Sequence, residues 1–344
     1  MKTETLEFHL PEDLIPAAPP AGVPRDHARL AVLDRAAGRV DHRRFDDLGD
    51  YLRPGDALII DDSRVMQDQL AGEADGGPMT LTLCGRRPEG WLVLADPAEL
   101  AAPGVVIRAA GGAIRATLDE PWPGTAMWRA RGDHEGDLPG LLEQHGARYS
   151  PQLRALDDRR QAYQNVYASR PGSLEVPSAG LHFTPGLLAR LRDEVGVAIV
   201  PITLHVGPTE YTAYNHIASE RVEDHRVVAE WYEIPEGSAD AIAATRRRSG
   251  RVVAVGTTAV RTLESAAAAG GMVRPGAGWS DLYIRPGHEF RAVDAMLTNL
   301  HQPRSSHLAM VSAFAGADFT MRAYRDLVAV GYRFDVFGDS MLLT

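Results

Sequence analysis

Between about Met66 and Arg154 the chain changes character, and that stretch constrains the architecture more than any other feature. Pro78, Pro88, Pro97, Pro103, Pro121, Pro123 and Pro139 punctuate it, with Gly-Gly and Pro-Gly turns between them. Short alternating runs such as Thr80-Leu81-Thr82-Leu83 and Trp91-Leu92-Val93-Leu94 fill the intervals. Evenly spaced short strands separated by turn residues suggest a small antiparallel barrel or sandwich. The polar run Asp157-Asp158-Arg159-Arg160 reads as a connector out of it.

The flanks read differently. Residues 28–34 and 56–60 are short apolar runs ending near polar turns, the mark of strands. From Tyr163 onward strand and helix patterns alternate. Thr184-Pro185 is a capped helix start, and Leu187, Leu188, Leu191 and Val195 share one face before Gly196. Val197–Leu204 reads as a buried strand in which Pro201 predicts an edge or a bulge. Arg251–Val255 predicts another strand, followed by an alanine-rich helix to about Ala269. Two further helices are expected near Ser305–Ala315 and Phe319–Ala329. The simplest architecture is a discontinuous α/β domain, residues 1–65 and 156–344, interrupted by a β domain at 66–155.

Composition narrows the class. Of 344 residues, 44% are hydrophobic and 24% charged, within the range of globular chains. No apolar run approaches the roughly 18–20 residues that span a bilayer. The N-terminus lacks a basic-then-apolar leader pattern, and the single cysteine, Cys84, excludes an intrachain disulfide. These features together predict a cytoplasmic protein. A net charge of −10 argues against broad, non-specific binding to a phosphate backbone. Lys2 is the only lysine; the arginine bias runs through the whole chain and reads as codon usage.

Four segments carry polar groups where chemistry is expected. In Val252–Glu264 an apolar strand enters Gly256-Thr257-Thr258 and then a helix containing Arg261. Free backbone N–H groups and two hydroxyls at such a turn suit a phosphate or carboxylate; the competing reading is that a threonine merely caps the helix. It is not the G-x-G-x-x-G pattern, so a dinucleotide is disfavoured. In Val176–Thr184, Ser178 and Gly180 permit close backbone approach and His182 precedes a helix start. His205 follows a strand end, where open α/β sheets bind ligands. A lone loop histidine is more often structural, and that alternative stands for both. In Thr298–His307, Arg304 near a helix start is disfavoured by the helix dipole unless a ligand or carboxylate holds it. The histidines lack the close spacing of a zinc site, so no metal is expected, and no G-x-S-x-G elbow or Walker loop is present.

These segments, in this order, resemble the S-adenosylmethionine:tRNA ribosyltransferase-isomerase family. The likeness also covers Phe8–Pro11, Pro54–Asp56 leading to Asp62–Val65, Tyr163–Ala168, and Tyr332–Phe334 with Gly338–Leu342. It implies an α/β fold with an inserted antiparallel β-barrel. It also implies transfer and isomerisation of the ribosyl part of S-adenosylmethionine onto 7-aminomethyl-7-deazaguanine at the wobble position of tRNA. The product is epoxyqueuosine-tRNA, with adenine and methionine released. Such chemistry needs a base beside the sulfonium, an acid for adenine departure and a grip on the methionine end. His182 and His205 are the expected proton-transfer groups. Thr257, Thr258 and Arg261 are expected at the donor's polar end, with His301 and Arg304 lining the same pocket and Ser178 and Gly256 also expected to bind substrate. Asp294 and Asp339 are candidates for the ribose hydroxyls or the sulfonium charge.

The chain also departs from the resembled pattern. Asp61 stands where that family typically carries asparagine, and Gln67-Asp68-Gln69 replaces a segment with arginine. Pro208-Thr209-Glu210-Tyr211 follows Gly207 in place of Ala-Gly-Thr-Phe, Gln302 and His307 replace leucines, and Tyr149–Arg154 differs from a Pro-Pro-Tyr-Ile-Lys-Arg-like run. Ser178 for threonine and Arg304 for lysine are conservative. Donor-facing segments are kept better than those that could face the acceptor. Two alternatives therefore stay open: a divergent paralogue using the same donor on a small-molecule acceptor, and a non-catalytic nucleoside- or RNA-binding protein.

Overall fold

The computed structural model describes residues 1–87, 89–123, 125–147, 163–207, 215–268 and 270–344. The departures at 149–154 and 208–211, the 157–160 connector and the 155/156 domain boundary lie outside the described residues.

A nine-stranded mixed sheet organises the α/β part. Its order is Gly276–Ser280, Glu230–Ile234, Ala198–Leu204, Ala57–Asp61, Val252–Val255, Ala295–Asn299, Ser340–Leu343, Arg29–Asp34 and Arg39–Arg44. The four strands from Ala198–Leu204 to Ala295–Asn299 are mutually parallel. Their carboxyl ends therefore share one edge. Ser340–Leu343 runs antiparallel to Ala295–Asn299, with Asn299 opposite Ser340, so its amino end reaches that same edge.

Buried strands alternate their side chains between two cores, as a period of two requires. Ala57 and Ile59 pack on one face with Ala259, Val260 and Leu263 of the helix Gly256–Ala266 and with the helices Ser306–Ala315 and Ala317–Ala329. Leu58 and Ile60 pack on the other with Phe45, Leu48, Phe183 and Leu187. The helix over Pro185–Arg190 starts on the Thr184 hydroxyl, which accepts from Leu187 N–H. It continues as one π turn to Val195 and ends on Gly196 in the left-handed region.

The Pro/Gly-punctuated stretch forms a closed six-stranded antiparallel barrel. The strands follow in the order Gln69–Ala74, Gly77–Arg87, Gly90–Asp96, Trp128–His134, Ile114–Pro121 and Val106–Ala109, and the last pairs back on the first. Closure is tight at Gly72, where a Cβ would sit 2.7 Å from the Arg108 carbonyl oxygen. Leu70, Leu81, Trp91, Val93, Ile107 and Leu118 fill the interior. The helix Leu138–His145, capped by the Asp137 carboxylate, adds Leu138 and Leu142 to that core.

Some local expectations needed correction. The edge strand Arg39–Arg44 and the helix Glu236–Arg247 were not foreseen, because their polar faces blur the periodicity. Pro201 lies on an interior strand rather than an edge. The neighbouring Glu230–Ile234 strand pairs only at Thr203 and Leu204, so the proline interrupts no ladder on that flank. Among the described residues, no helix is long and apolar enough to cross a membrane.

Candidate active site

A cleft of about 500 Å³ opens at the carboxyl edge of the parallel strands. Its floor comes from the turn after Val252–Val255, where Gly256 adopts φ +87° and Thr257 and Thr258 occupy the first helical turn. The N-cap position is Val255 and no side chain caps the helix, so neither threonine has the capping role that competed with ligand binding. No side chain caps the first turn of this eleven-residue helix, and its first three residues line the cleft. Ser178, at the start of the short helical turn Ser178–His182, lines the cleft too, and its neighbour Ala179 lies beside Gly256. Gly180 is required there: a Cβ would lie 2.1 Å from the Tyr167 hydroxyl and 2.4 Å from Asn165 Nδ2.

Arg261 lines the cleft, but its guanidinium is largely committed. It donates to Glu230 at 2.6 Å and to the carbonyls of Val228 and Ser280 at 2.7 Å each. Glu230 also accepts from Gly207 N–H at 2.7 Å, so the pair ties three elements together at the cleft wall. Sequence reasoning missed Glu230 because its partner is 31 residues away.

His301 borders the cleft on the loop after Ala295–Asn299, and its Nε2 shares a hydrogen bond with the Thr298 hydroxyl at 3.1 Å. The His307 ring, centred 5.0 Å away, lines the same wall. Burial, then the neighbouring His307, holds the His301 pKa well below its ordinary value. Burial lowers that of His307 to about 4, with Asp335 opposing and Arg261 assisting. Both imidazoles are neutral at pH 7. Further polar lining comes from Glu175, Asn215, His216, Asn299, Gln302 and Asp335, among others.

Five sequence candidates lie off the cleft. His182 is buried against Phe45, ring centroids 5.0 Å apart, and faces a smaller recess beside Pro24 and Arg333. Burial lowers its pKa to about 4. Asn299 bridges the two spaces: it lines the cleft and reaches toward His182. His205 stacks on Trp231, centroids 4.9 Å apart, over Gly172. Arg304 adopts φ +54° and turns toward Glu7 at 3.8 Å, so a carboxylate offsets its unfavourable position before a helix. Asp294 sits at the amino edge of its parallel strand, opposite the cleft, accepting from Val252 N–H at 2.7 Å. Asp339 is buried and clamps Arg29 and Arg333 through both oxygens. Type and loop position marked these residues; strand direction and partner placement decide where they point. Among the described residues no group of three or more His, Cys, Asp or Glu is placed to hold a metal ion.

Similarity to known proteins runs over nearly the whole chain. The model of the queuosine biosynthesis protein family matches residues 3–343. The S-adenosylmethionine:tRNA ribosyltransferase-isomerase of Symbiobacterium thermophilum is 43% identical over 100% of both chains. That of Pelotomaculum thermopropionicum is 40% identical, again over 100% of both. The crystal structure of S-adenosylmethionine tRNA ribosyltransferase from Thermotoga maritima is similar with TM-score 0.56 and 31% identity, covering 99% of this chain and 100% of that one. A family match across nearly the whole chain, together with full-length relatives and a matching fold, leads to one conclusion: this chain belongs to the queuosine biosynthesis protein family.

Proposed function

We propose that this protein is an S-adenosylmethionine:tRNA ribosyltransferase-isomerase, acting in the cytoplasm on tRNA that carries 7-aminomethyl-7-deazaguanine. The observation that carries the reading is the cleft itself. Its volume of about 500 Å³ suits a nucleoside-sized donor, and it joins an uncapped helix start to uncharged imidazoles.

The helix start at Gly256–Thr258 would hold the carboxylate of the methionine end, where N–H groups and the helix dipole favour a negative charge. Ser178, on the neighbouring turn, adds a hydroxyl. Arg261 supports this wall through Glu230 rather than gripping the donor with a free fork. Glu175 and Asp335 supply carboxylates to a space that must accommodate a sulfonium. His301 is the proton-transfer group this geometry favours, because it is neutral and on the cleft wall. His182 would act through Asn299, as a positioning residue. His205 and Arg304 would shape the walls from behind.

The test is adenine release from S-adenosylmethionine, measured with and without the modified tRNA, together with the mass of the nucleoside formed. Release and a ribosyl adduct only with tRNA is the expected result. Turnover with a small-molecule acceptor, or binding without turnover, would replace this reading. A rate for His301→Ala within about threefold of wild type would remove it as the proton-transfer group, given the usual 10²–10⁴-fold contribution.

A further inference from the structure

Asp335 lines the cleft in a backbone conformation that an L-residue seldom adopts, with φ +70°. Such a conformation persists only where the surroundings over-determine it. Here the Asp335 N–H donates to the Leu300 carbonyl at 2.8 Å. Its own carbonyl accepts from Asn299 Nδ2 at 2.8 Å and from Gly338 N–H at 3.0 Å. The carboxylate is fixed as well: Oδ1 accepts from Val336 N–H at 2.9 Å and Oδ2 from Gln302 Nε2. Each oxygen keeps a lone pair for a further donor.

No counter-charge accompanies it. Among the described residues no arginine forms an ion pair with Asp335: Arg261 on the cleft wall is held by Glu230, and Arg333 by Asp339. The neighbouring His307 is neutral at pH 7. Position matters too. Gly256 on the floor is buried, whereas Gln302 is exposed and its bond to Asp335 lies at the solvent-facing rim. A base carried on tRNA has to enter across that rim, because the polynucleotide is far larger than a cleft of about 500 Å³. Phe337, half-buried and two residues further on, also lines the cleft and offers an apolar ring beside the carboxylate.

We propose that Asp335 is a specificity-determining residue for the acceptor, its carboxylate binding the protonated aminomethyl group of the 7-deazaguanine and leaving Glu175 to face the donor's sulfonium. This rests on the reading that modified tRNA is the acceptor. A primary alkylamine such as that of lysine titrates near ~10 and is charged at pH 7. Its hydrogen bond to a carboxylate is charge-assisted at both ends, about twice as strong as a neutral one. The part played by Asp335 is binding and orientation.

The experiment compares full-length wild type with Asp335→Asn and Asp335→Gly, replacements that both suit φ +70°. Kd is measured for tRNA carrying the aminomethyl base, for the same tRNA with guanine in its place, and for S-adenosylmethionine alone. Asp335→Asn is expected to weaken binding of the aminomethyl tRNA about ten- to hundredfold, the worth of a charged hydrogen bond. Guanine tRNA and S-adenosylmethionine should stay within about twofold. An equal loss for both tRNAs would mean a contact to the base edge or a purely structural role, and overturns the proposal. So does a loss confined to S-adenosylmethionine, which would move the carboxylate to the donor, and so does no loss at all. Asp335→Gly repeats the test if the asparagine amide disturbs Gln302. Wild type should itself prefer the aminomethyl tRNA. Equal binding of both tRNAs with adenine still released overturns the assignment of Asp335 alone, whereas no adenine release with the aminomethyl tRNA fails the acceptor reading.

Discussion

Arg261 Nη1 stands 2.6 Å from Glu230 Oε2, and both side chains are about nine-tenths buried. Removing one partner of such a pair strands the other charge in a dry environment. Glu230→Ala also orphans Gly207 N–H, which leads toward the loop beyond the cleft. We expect Glu230→Ala to destabilise the fold by about 3–5 kcal/mol in urea unfolding. Wild-type stability with lost donor binding would instead mean that Arg261 grips the ligand directly.

Asp339 makes a parallel case at the far side of the same sheet edge. Its oxygens accept from Arg29 N–H at 3.0 Å, from the Arg29 guanidinium at 3.0 Å, and from Arg333 N–H at 2.8 Å and its guanidinium at 3.2 Å. Asp339→Ala leaves these donors without a shared acceptor and should cost about 3 kcal/mol or more. Adenine release per folded molecule at saturating donor should stay within threefold. A folded, stable variant that no longer binds S-adenosylmethionine would return Asp339 to the list of ligand contacts.

These two residues show what the sequence could convey. The strand Val252–Val255 and the turn at Gly256 were legible because an apolar run, a glycine and a helix pattern are all local. The barrel was legible from its proline and glycine spacing. Asp294 and Asp339 looked alike as acids beside strands, yet they lie at opposite edges because Ser340–Leu343 runs against Ala295–Asn299. Glu230 entered the site only through tertiary packing, whereas Asn299 and His307 lie in a segment the sequence marked without saying which of its side chains reach the cleft.

Gly180 gives a steric test of the Ser178 wall. A methyl group there would collide with the Tyr167 hydroxyl and the Asn165 amide, both inside packed structure. Asn165 is itself bonded to the Pro177 carbonyl at 3.0 Å, so it cannot retreat without breaking that bond. Gly180→Ala should destabilise by about 1–3 kcal/mol and raise KM for the donor as the wall shifts. Unchanged stability and KM would mean that the turn tolerates a side chain and that the wall is not held as described.

Stability should peak near neutral pH, because two sets of buried groups fail in opposite directions. His182, His301 and His307 have folded pKa values below the ordinary value, about 4 for His182 and His307. Their contribution is complete above ~6.5 and is lost as pH falls toward the folded values, since the unfolded chain takes up protons first. Asp61 is raised to about 7, so its contribution is complete below ~3.9 and is lost as pH rises through 7. Between these values three histidines oppose one aspartate, and the acid limb should be the steeper. His307→Leu should flatten the fall between pH 6.5 and 5, and Asp61→Asn the fall between pH 6.5 and 8, each read from urea midpoints at half-unit steps. If either variant keeps the wild-type limb, that residue does not titrate in the folded state as its burial requires.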